Sequence, residues 1–497
     1  MKHDSPHDSW LTEAEKRNVE LRILEVCPDL WNLRGINPVV GNAKRARCRT
    51  PAFPDWNKDM VKKAVVVVLP PEEGGSAPSD RIGGITLLGR LLRSAKAAGI
   101  EEGIVLVKRA FSEDDGCLDV DPQALGFTLI DTSDRAGIDE TGRAVLMRET
   151  VTGPVLLLSL HGIPDRKLLK GLCAESVAKG SALVVAPREG EADELPGAAL
   201  LHPENPDEFS ETLLRAASPG EVLSLVMKGS DVRIVRTDPV KVPSVRRRKD
   251  LARAEDLLFQ GLIKPVESFM SRYVERKISL AVSRRLIETP VTPNQVSVMV
   301  SLLGFAAAAA FMASSRGMHV FGAVLFLLSS ILDGTDGEIA RLKFLESRFG
   351  SWLDFLGDNL VHVLVFFGMG VGLYRASGNS AHLVAGVMAG VGVAGTALLI
   401  FRRIFAGKGE EEVVTFISPG NDENPPTKKQ KLLARITDQV ANRDFIYLVL
   451  ILAVVDRIQW FLWLAAVGAP TYMIALFFLY RSAKGADEPP ASTEASA

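Results

Sequence analysis

The sequence predicts a chain in two parts, a soluble α/β domain with a mostly parallel sheet followed by an all-α bundle of six transmembrane helices. Three observations predict it. From Lys62 to about Thr237 short aliphatic runs alternate with longer amphipathic stretches; from Val296 to Tyr480 the apolar stretches become long enough to cross a bilayer; and a basic, proline-containing stretch, Pro239–Asp250 (PVKVPSVRRRKD), separates the two regimes. Whole-chain averages conceal this division. With 497 residues, 47% hydrophobic and 24% charged side chains and a mean hydropathy of +0.15, the chain looks like a soluble protein of about three domains. Collagen-like, coiled-coil and disordered classes are excluded. Basic and acidic side chains, 58 against 60, nearly cancel to a net charge of −2, so no overall basic field exists and nucleic acid is not an expected partner.

The first residues, MKHDSPHDSWLTEAEKRNVE, are polar and lack the apolar core of a secretory signal, which places the start of the chain in the cytoplasm. Cys27, Cys48, Cys117 and Cys173 form no C-x-x-C pair and all fall in the first 173 residues. That spacing suits neither a zinc site nor a disulfide framework, and the cysteines are expected to be reduced and buried. Ala64–Leu69, Gly103–Val107, Phe127–Ile130, Val155–Leu160 and Ala182–Ala186 are continuous aliphatic runs, as strands buried on both faces require. Ile85–Ala98 and Asp165–Lys179 are amphipathic and stop at Gly99 and Gly180, the pattern of helices with glycine terminators.

Val266–Glu288 places Phe269, Met270, Tyr273, Val274, Ile278, Ala281, Val282 and Leu286 along one helical face, with Arg272, Arg276, Lys277, Arg284 and Arg285 elsewhere. A basic amphipathic helix just before apolar spans is expected in the membrane interface. Spans are predicted near Val296–Ala313, Met318–Leu332, Phe355–Tyr374, His382–Phe401, Phe445–Val455 with its flanks, and Trp460–Tyr480. Loop charge orients them. Arg341, Lys343, Arg348, Arg402, Arg403, Lys408, Lys428, Lys429, Lys431, Arg435, Arg481 and Lys484 fall on the side of the N-terminus, against Arg316, Arg375 and Arg457 on the other. The expected location is the cytoplasmic membrane, with the soluble domain and the site on the cytoplasmic side. The ending, GADEPPASTEASA, has the composition of a disordered tail.

Charged groups at the end of an apolar span are costly unless paired, bound to metal or facing a water-filled cavity. Asp333 and Asp336 are three residues apart, and Asp354 and Asp358, at the start of the next span, are four apart. Such spacings stack side chains on one helix face, so both pairs can face one cavity. Four carboxylates at close quarters call for hard divalent cations, Mg²⁺, Mn²⁺ or Ca²⁺. Two ions would clamp a phosphoryl or diphosphoryl group. Gly337 and Ala340 lack bulk and would let a ligand lie against the helix, and Arg341 offers a planar fork for phosphate oxygens. His362, one turn after Asp358, suits packing or support of the carboxylate better than a ligand role. A cation transporter lined by carboxylates is the rival reading, but it makes no use of Gly337, Ala340, Gly350 and Arg341.

Asp333–Asp358, DGTDGEIARLKFLESRFGSWLDFLGD, fits D-x2-D-G-x2-A-R-x8-G-x3-D-x3-D at Asp333, Asp336, Gly337, Ala340, Arg341, Gly350, Asp354 and Asp358. This resembles the signature of the CDP-alcohol phosphatidyltransferase family, and the resemblance extends over about Ala254–Tyr480, including Thr292, Pro293, Asn294, Val296 and Ser297 before the first span. It implies attack of an acceptor hydroxyl on the phosphorus of a CDP-alcohol, giving a phosphodiester, such as a phospholipid or an inositol-phosphate diester, and CMP. It implies two ions, Mg²⁺ or Mn²⁺, on Asp333, Asp336, Asp354 and Asp358, with Asp358 also the general base. Gly337, Ala340, Arg341 and Gly350 fall to the CDP moiety, and a homodimer in the lipid bilayer is usual for the family.

The soluble part resembles sugar-nucleotide transferases, as in fused inositol-1-phosphate cytidylyltransferase/di-myo-inositol-phosphate-phosphate synthase proteins. The expected layout is an N-terminal extension (1–60), a nucleotidyltransferase-like domain (61–245), a basic linker with the interfacial helix (246–290), a six-span phosphotransferase domain (291–484) and the tail (485–497). The resemblance implies a glycine-rich loop with an arginine and a lysine after the first strand. Pro70–Gly84 keeps Gly74 and Gly75 and offers Arg81, but holds no lysine, and Leu160 stands where a metal-binding aspartate is expected. The domain is therefore expected to be a degenerate scaffold or regulator. The alternative is an active enzyme with shifted ligands such as Asp131, Asp134 or Asp165, which would itself make the CDP-alcohol from CTP.

Overall fold

A computed structural model describes residues 61–69, 75–107, 119–131, 140–160, 162–187, 197–216, 218–228, 231–237, 242–245, 247–263, 274–405 and 445–486. The expected N-terminal extension, the long loop before Phe445 and the tail lie outside these residues, as do Cys27, Cys48 and Cys117. Contacts divide the chain into two units, Met1–Leu262 and Ile263–Ala497.

The first unit is built on a seven-stranded sheet of order β5-β4-β1-β6-β8-β7-β9. Its strands are β1 (Lys63–Val68), β4 (Glu102–Val107), β5 (Phe127–Asp131), β6 (Val155–Ser159), β7 (Ser181–Pro187), β8 (Ala198–Leu201) and β9 (Asp231–Thr237), while β2 (Arg81–Ile82) and β3 (Ile85–Thr86) form a separate hairpin. Only β8 runs antiparallel to its neighbours. Helices cover both faces: α1 (Leu87–Ala97), α2 (Glu140–Val151), α3 (Arg166–Cys173), α4 (Pro206–Arg215) and α5 (Pro219–Met227). Alternate residues of β1 enter opposite cores, Val66 and Val68 on one face and Val65 and Val67 on the other, which is why the run has no polar residue.

Helix α1 starts two residues later than its periodicity suggests. Ile85 and Thr86 pair with Ile82 and Arg81, and the Thr86 hydroxyl then caps the helix by accepting from the Gly89 amide at 3.1 Å. Buried Arg90 secures the hairpin from α1, donating from Nε and Nη2 to the Ile82 carbonyl and from Nη2 to that of Gly83. The helix expected over Asp165–Lys179 closes early, at Cys173.

The order β5-β4-β1-β6 places a switch point between β1 and β6, beyond whose carboxyl ends α/β folds hold ligands. Pro243, Ser244 and Arg247 meet the segments that follow these two strands: Ser244 bridges Gly162, Arg247 bridges Gly75, and the Ile163 amide donates to the Pro243 carbonyl at 3.0 Å. Helix α6 (Leu251–Gly261) then packs Ala254 into the same core, and its Glu255 accepts from the Gly83 amide at 3.1 Å. The first part of the segment read from sequence as a linker thus packs with the α/β unit, which runs to Leu262.

The second unit contains α7 (Arg276–Leu286), α8 (Pro293–Phe311), α9 (Arg316–Lys343), α10 (Arg348–Ser377), α11 (Ala381–Phe405), α12 (Phe445–Val454) and α13 (Ile458–Ala486). Five of these, α8 to α11 and α13, are long and apolar enough to cross a membrane; α12 is apolar but has ten residues. Together they account for the six apolar helices the sequence predicts. The large exposed side chains on them, among them Met299, Leu302, Val391 and Leu464, are the surface a lipid-facing bundle presents. Small residues allow close approach. The Gly370 and Gly386 backbones on α10 and α11 face each other with no room for a side chain. Of the predicted interfacial helix, Phe269, Met270 and Tyr273 lie outside the described residues, and α7 is the part seen.

Candidate active site

The site is assembled on the facing ends of α8, α9 and α10. Thr292 starts α8 with a capping box: its backbone amide donates to Gln295 Oε1 at 2.9 Å, and its hydroxyl accepts from the Gln295 amide. Pro293 fills the first helical position, where its missing N–H costs nothing. Helix α9 does not stop at Leu332, where the apolar stretch ends. It continues through the polar segment to Lys343 and closes on Phe344, a left-handed residue with φ 55°. Asp333 and Asp336 are therefore helical residues. Ser347 caps α10 by accepting from the Gly350 amide at 3.0 Å, and Asp354 and Asp358 follow on its first turns.

All four aspartates line one narrow cavity, together with Ser297, Ser330 and His362. An adjoining cavity of ≈ 210 Å³ is lined by Asp336, Gly337, Ala340, Arg341, Gly350 and Asp354, with Asn294 and Ser347 at its edge. Asp336 and Asp354 border both. The eight residues singled out from the sequence spacing therefore surround one continuous region.

Local contacts explain several identities. A Cβ on Gly350 would sit 2.9 Å from Asn294 Oδ1 and 3.0 Å from Ser347 Oγ, so a larger residue here would have to displace the side chains at the starts of α8 and α10. A Cβ on Gly337 would lie 3.0 Å from Arg341 Nη1; the space the sequence assigned to a ligand is partly used by the guanidinium folded back over this glycine. The Ser297 hydroxyl on α8 donates to Asp336 Oδ2, and the Gly337 amide donates to Oδ1, so this carboxylate is held from two sides. His362 Nδ1 is 2.8 Å from the Asp358 carbonyl oxygen and 3.3 Å from its Oδ1, while its ring packs edge-on against Phe326.

Two features escaped the sequence reading. Ser297 was part of a recognised segment but had no role, because its partner is 39 residues away on another helix. Glu338 had no signal at all. It is completely buried and bonded to α7 through Arg276, Ser279 and Ser283.

The donor chemistry suits a hard cation: four carboxylates around one cavity, plus the Ser330 hydroxyl, which is buried in the same wall without a hydrogen-bond partner. Among the described residues, no three carboxylate, imidazole or thiol groups already converge into a metal cage.

Among its described residues the first unit offers no comparable cluster. Leu160 is 8% exposed and belongs to the apolar core. Asp131 ends β5 and Asp165 precedes α3 after β6, with β4 and β1 between those strands, so roughly 14 Å of sheet separates them. Asp134 lies outside the described residues.

Residues 290–418 match the family described as CDP-alcohol phosphatidyltransferase. A protein from Thermococcus kodakarensis named "Bifunctional IPC transferase and DIPP synthase" is 36% identical over 140 residues, 28% of this chain and 31% of that protein. One of the same name from Rubrobacter xylanophilus is 28% identical over 336 residues, 61% of this chain and 74% of that protein. With the similar proteins from Thermococcus kodakarensis, Aquifex aeolicus and Archaeoglobus fulgidus, the chain spans less than a third of the relative's length. A crystal structure of Mycobacterium tuberculosis phosphatidylinositol phosphate synthase with CDP-DAG bound is 21% identical, with a TM-score of 0.31, covering 43% of this chain and 99% of that one. The eight signature residues around the paired cavities all fall within the matched stretch, residues 290–418.

Proposed function

We propose that the chain is an integral-membrane phosphotransferase that moves a substituted phosphate group from a CDP-alcohol to an acceptor hydroxyl and releases CMP. One observation carries this reading: all eight signature residues line the two adjoining cavities, acidic groups in the narrow one and the phosphate-binding arginine with small residues in the wider one. Asp333, Asp336, Asp354 and Asp358 would hold two divalent ions, Mg²⁺ or Mn²⁺; when bound, these ions neutralise the diphosphate and make CMP a good leaving group. Ser297 fixes the Asp336 carboxylate for that task. Arg341, beside Gly337 and Ala340, takes the diphosphate oxygens of the CDP moiety. Asp358 accepts the acceptor's hydroxyl proton as its oxygen bonds to phosphorus and the bond from phosphorus to CMP breaks. His362 restrains the rotation of the Asp358 carboxylate.

A donor-by-acceptor screen tests this. Membranes containing the full chain are incubated with CDP-diacylglycerol or CDP-inositol, Mg²⁺ and candidate alcohols, and CMP is measured. Metal-dependent release that persists unchanged in Asp358→Asn sinks the mechanism. A carboxylate-lined cation transporter would instead move Mg²⁺ or Mn²⁺ into vesicles without CMP release. A second reading, in which the first unit also makes the CDP-alcohol from CTP, is favoured by the 336-residue match, which is longer than the 235 residues of the second unit (263 to 497) and so reaches into the first. The proposed placement is the cytoplasmic membrane, with the first unit and the site on the cytoplasmic side, and the proposed assembly is a homodimer.

A further inference from the structure

Glu338 is 0% exposed and lies two residues beyond Asp336 on α9. Its Oε1 accepts from Arg276 Nη1 at 2.7 Å and from Ser279 Oγ at 2.8 Å, and its Oε2 accepts from Ser283 Oγ at 2.6 Å. Residues 276, 279 and 283 share one face of α7, so the carboxylate meets a row of three donors. Ser279 and Ser283 are buried, whereas Ile278 is exposed; the polar side of this amphipathic helix is the side that docks. Gly334, one turn before Glu338, leaves room for the arginine, since a Cβ there would sit 3.1 Å from Arg276 Nη1.

Two residues along a helix turn direction by about 200°. Glu338 therefore faces α7 while Asp336 faces α8 and the cavity, and the turn that carries the signature is held from opposite sides. That turn includes Gly334 and Gly337, both poor helix formers, so outside support matters here more than elsewhere in α9. Apolar contact would serve as well for docking alone, and Val296, Val300 and Ile339 already supply some nearby. A buried ion pair is a weak stabiliser, yet loss of one partner leaves a buried charge uncompensated. The uncompensated charge would act on Arg341. The two guanidiniums lie over neighbouring glycines three residues apart on one face of α9, since a Cβ on Gly334 would sit 3.1 Å from Arg276 Nη1 and one on Gly337 3.0 Å from Arg341 Nη1.

We propose that Glu338 is a positioning residue for the CDP-binding side of the site: it docks α7 and cancels the charge of Arg276, so that Arg341 stays folded over Gly337 with its own charge available to the donor's diphosphate. This rests on the function proposed above. The full chain in lipid vesicles, carrying Glu338→Gln, Arg276→Gln or both, is assayed for CMP release with the donor and acceptor that the unmodified chain uses. Either single change unbalances the pair and is expected to raise the donor KM about tenfold or more with a smaller effect on kcat, and the double variant to return KM to within about threefold. Hydrogen exchange over residues 331–345, which needs no substrate, should quicken in E338Q and slow again in the double variant. Should E338Q fail to fold, Arg276→Gln and the double variant carry the same comparison. A donor KM in both single variants within threefold of the unmodified chain, or a double variant no better than the singles, overturns the role of Glu338 alone. Absence of CMP release from the unmodified chain with every donor overturns the proposed function and this role together.

Discussion

Asp358 and Asp336 carry the same side chain and are predicted to fail differently. The Asp358 carboxylate lines the narrow cavity, with His362 Nδ1 3.3 Å from its Oδ1. Asp358→Asn should reduce kcat about a hundredfold or more while donor KM changes little, because a carboxamide cannot take the proton. Asp336→Asn should instead raise the concentration of Mn²⁺ or Mg²⁺ needed for half-maximal rate, measured by metal titration. Cys173 illustrates the opposite kind of residue. Burial alone pushes its thiol up to about 12, so at pH 8 it is protonated and inaccessible. Iodoacetamide should leave the Cys173 peptide unmodified in the native chain and modify it in denaturant, as peptide mass spectrometry would show; rapid native labelling would contradict the burial. The eight signature residues were legible because the chemistry demands those residue types at those spacings. Ser297 and Glu338 were not, because serine and glutamate are ordinary in sequence and acquire meaning only from partners 39 and 55 to 62 residues away.

Elements were legible in proportion to how local their causes are. The strands β1, β4 and β6 at the centre of the sheet are continuous aliphatic runs and were found within a residue or two. Strands β8 and β9 were missed. The first has four residues, and the second, DVRIVRT, carries charge because it lies at the sheet edge. Helix α9 outlasts its apolar span: hydropathy stops at Leu332, while the helical spacing of Asp333, Asp336, Gly337 and Ala340 continues it into a polar cavity that receives the aspartates. Caps give two element-scale predictions. Thr292→Ala removes the box that starts α8 and should cost about 1 kcal/mol, seen as a lower midpoint of thermal unfolding. At the start of α1, Asp119 accepts from the Thr86 hydroxyl and from Arg93, each at 2.8 Å. Burial by itself would raise this carboxyl, but those bonds and the arginine's charge outweigh it and hold the group below the usual carboxylate range. A depressed folded value means the bonds stabilise the fold above the unfolded pKa and that this contribution fades as pH falls through the folded one. Asp119→Asn should therefore lower the melting temperature at pH 7, and the gap from the unmodified chain should narrow as the pH is taken down through the acid range. A gap that stays constant with pH would mean the carboxylate's charge is not what matters.

At the scale of the molecule, the open question is whether the first unit does chemistry or only supports the second. The 336-residue match to the Rubrobacter xylanophilus protein reaches into the first unit, while the local structure of that unit argues against chemistry there. Beyond β1 and β6, Ser244 and Arg247 bridge to Gly162 and Gly75, and the sequence RRRK there is basic where a nucleotide-bound metal would call for acids. Arg248 is paired with Asp80, the nearest described acid in the loop after β1, at 3.1 Å, so that carboxylate is already committed. Leu160 is core, and Asp131 ends β5 whereas Asp165 follows β6, three strand positions away across the sheet. Without a carboxylate-bound metal a nucleotidyl transfer loses its main electrostatic aid. The full chain carrying Asp358→Asn separates the two activities, because it blocks the membrane reaction and leaves the first unit untouched. Given CTP, inositol phosphate and Mg²⁺, this variant is expected to release no diphosphate above a protein-free control. Diphosphate release that depends on both CTP and the sugar phosphate, and survives Asp358→Asn, would establish the bifunctional reading.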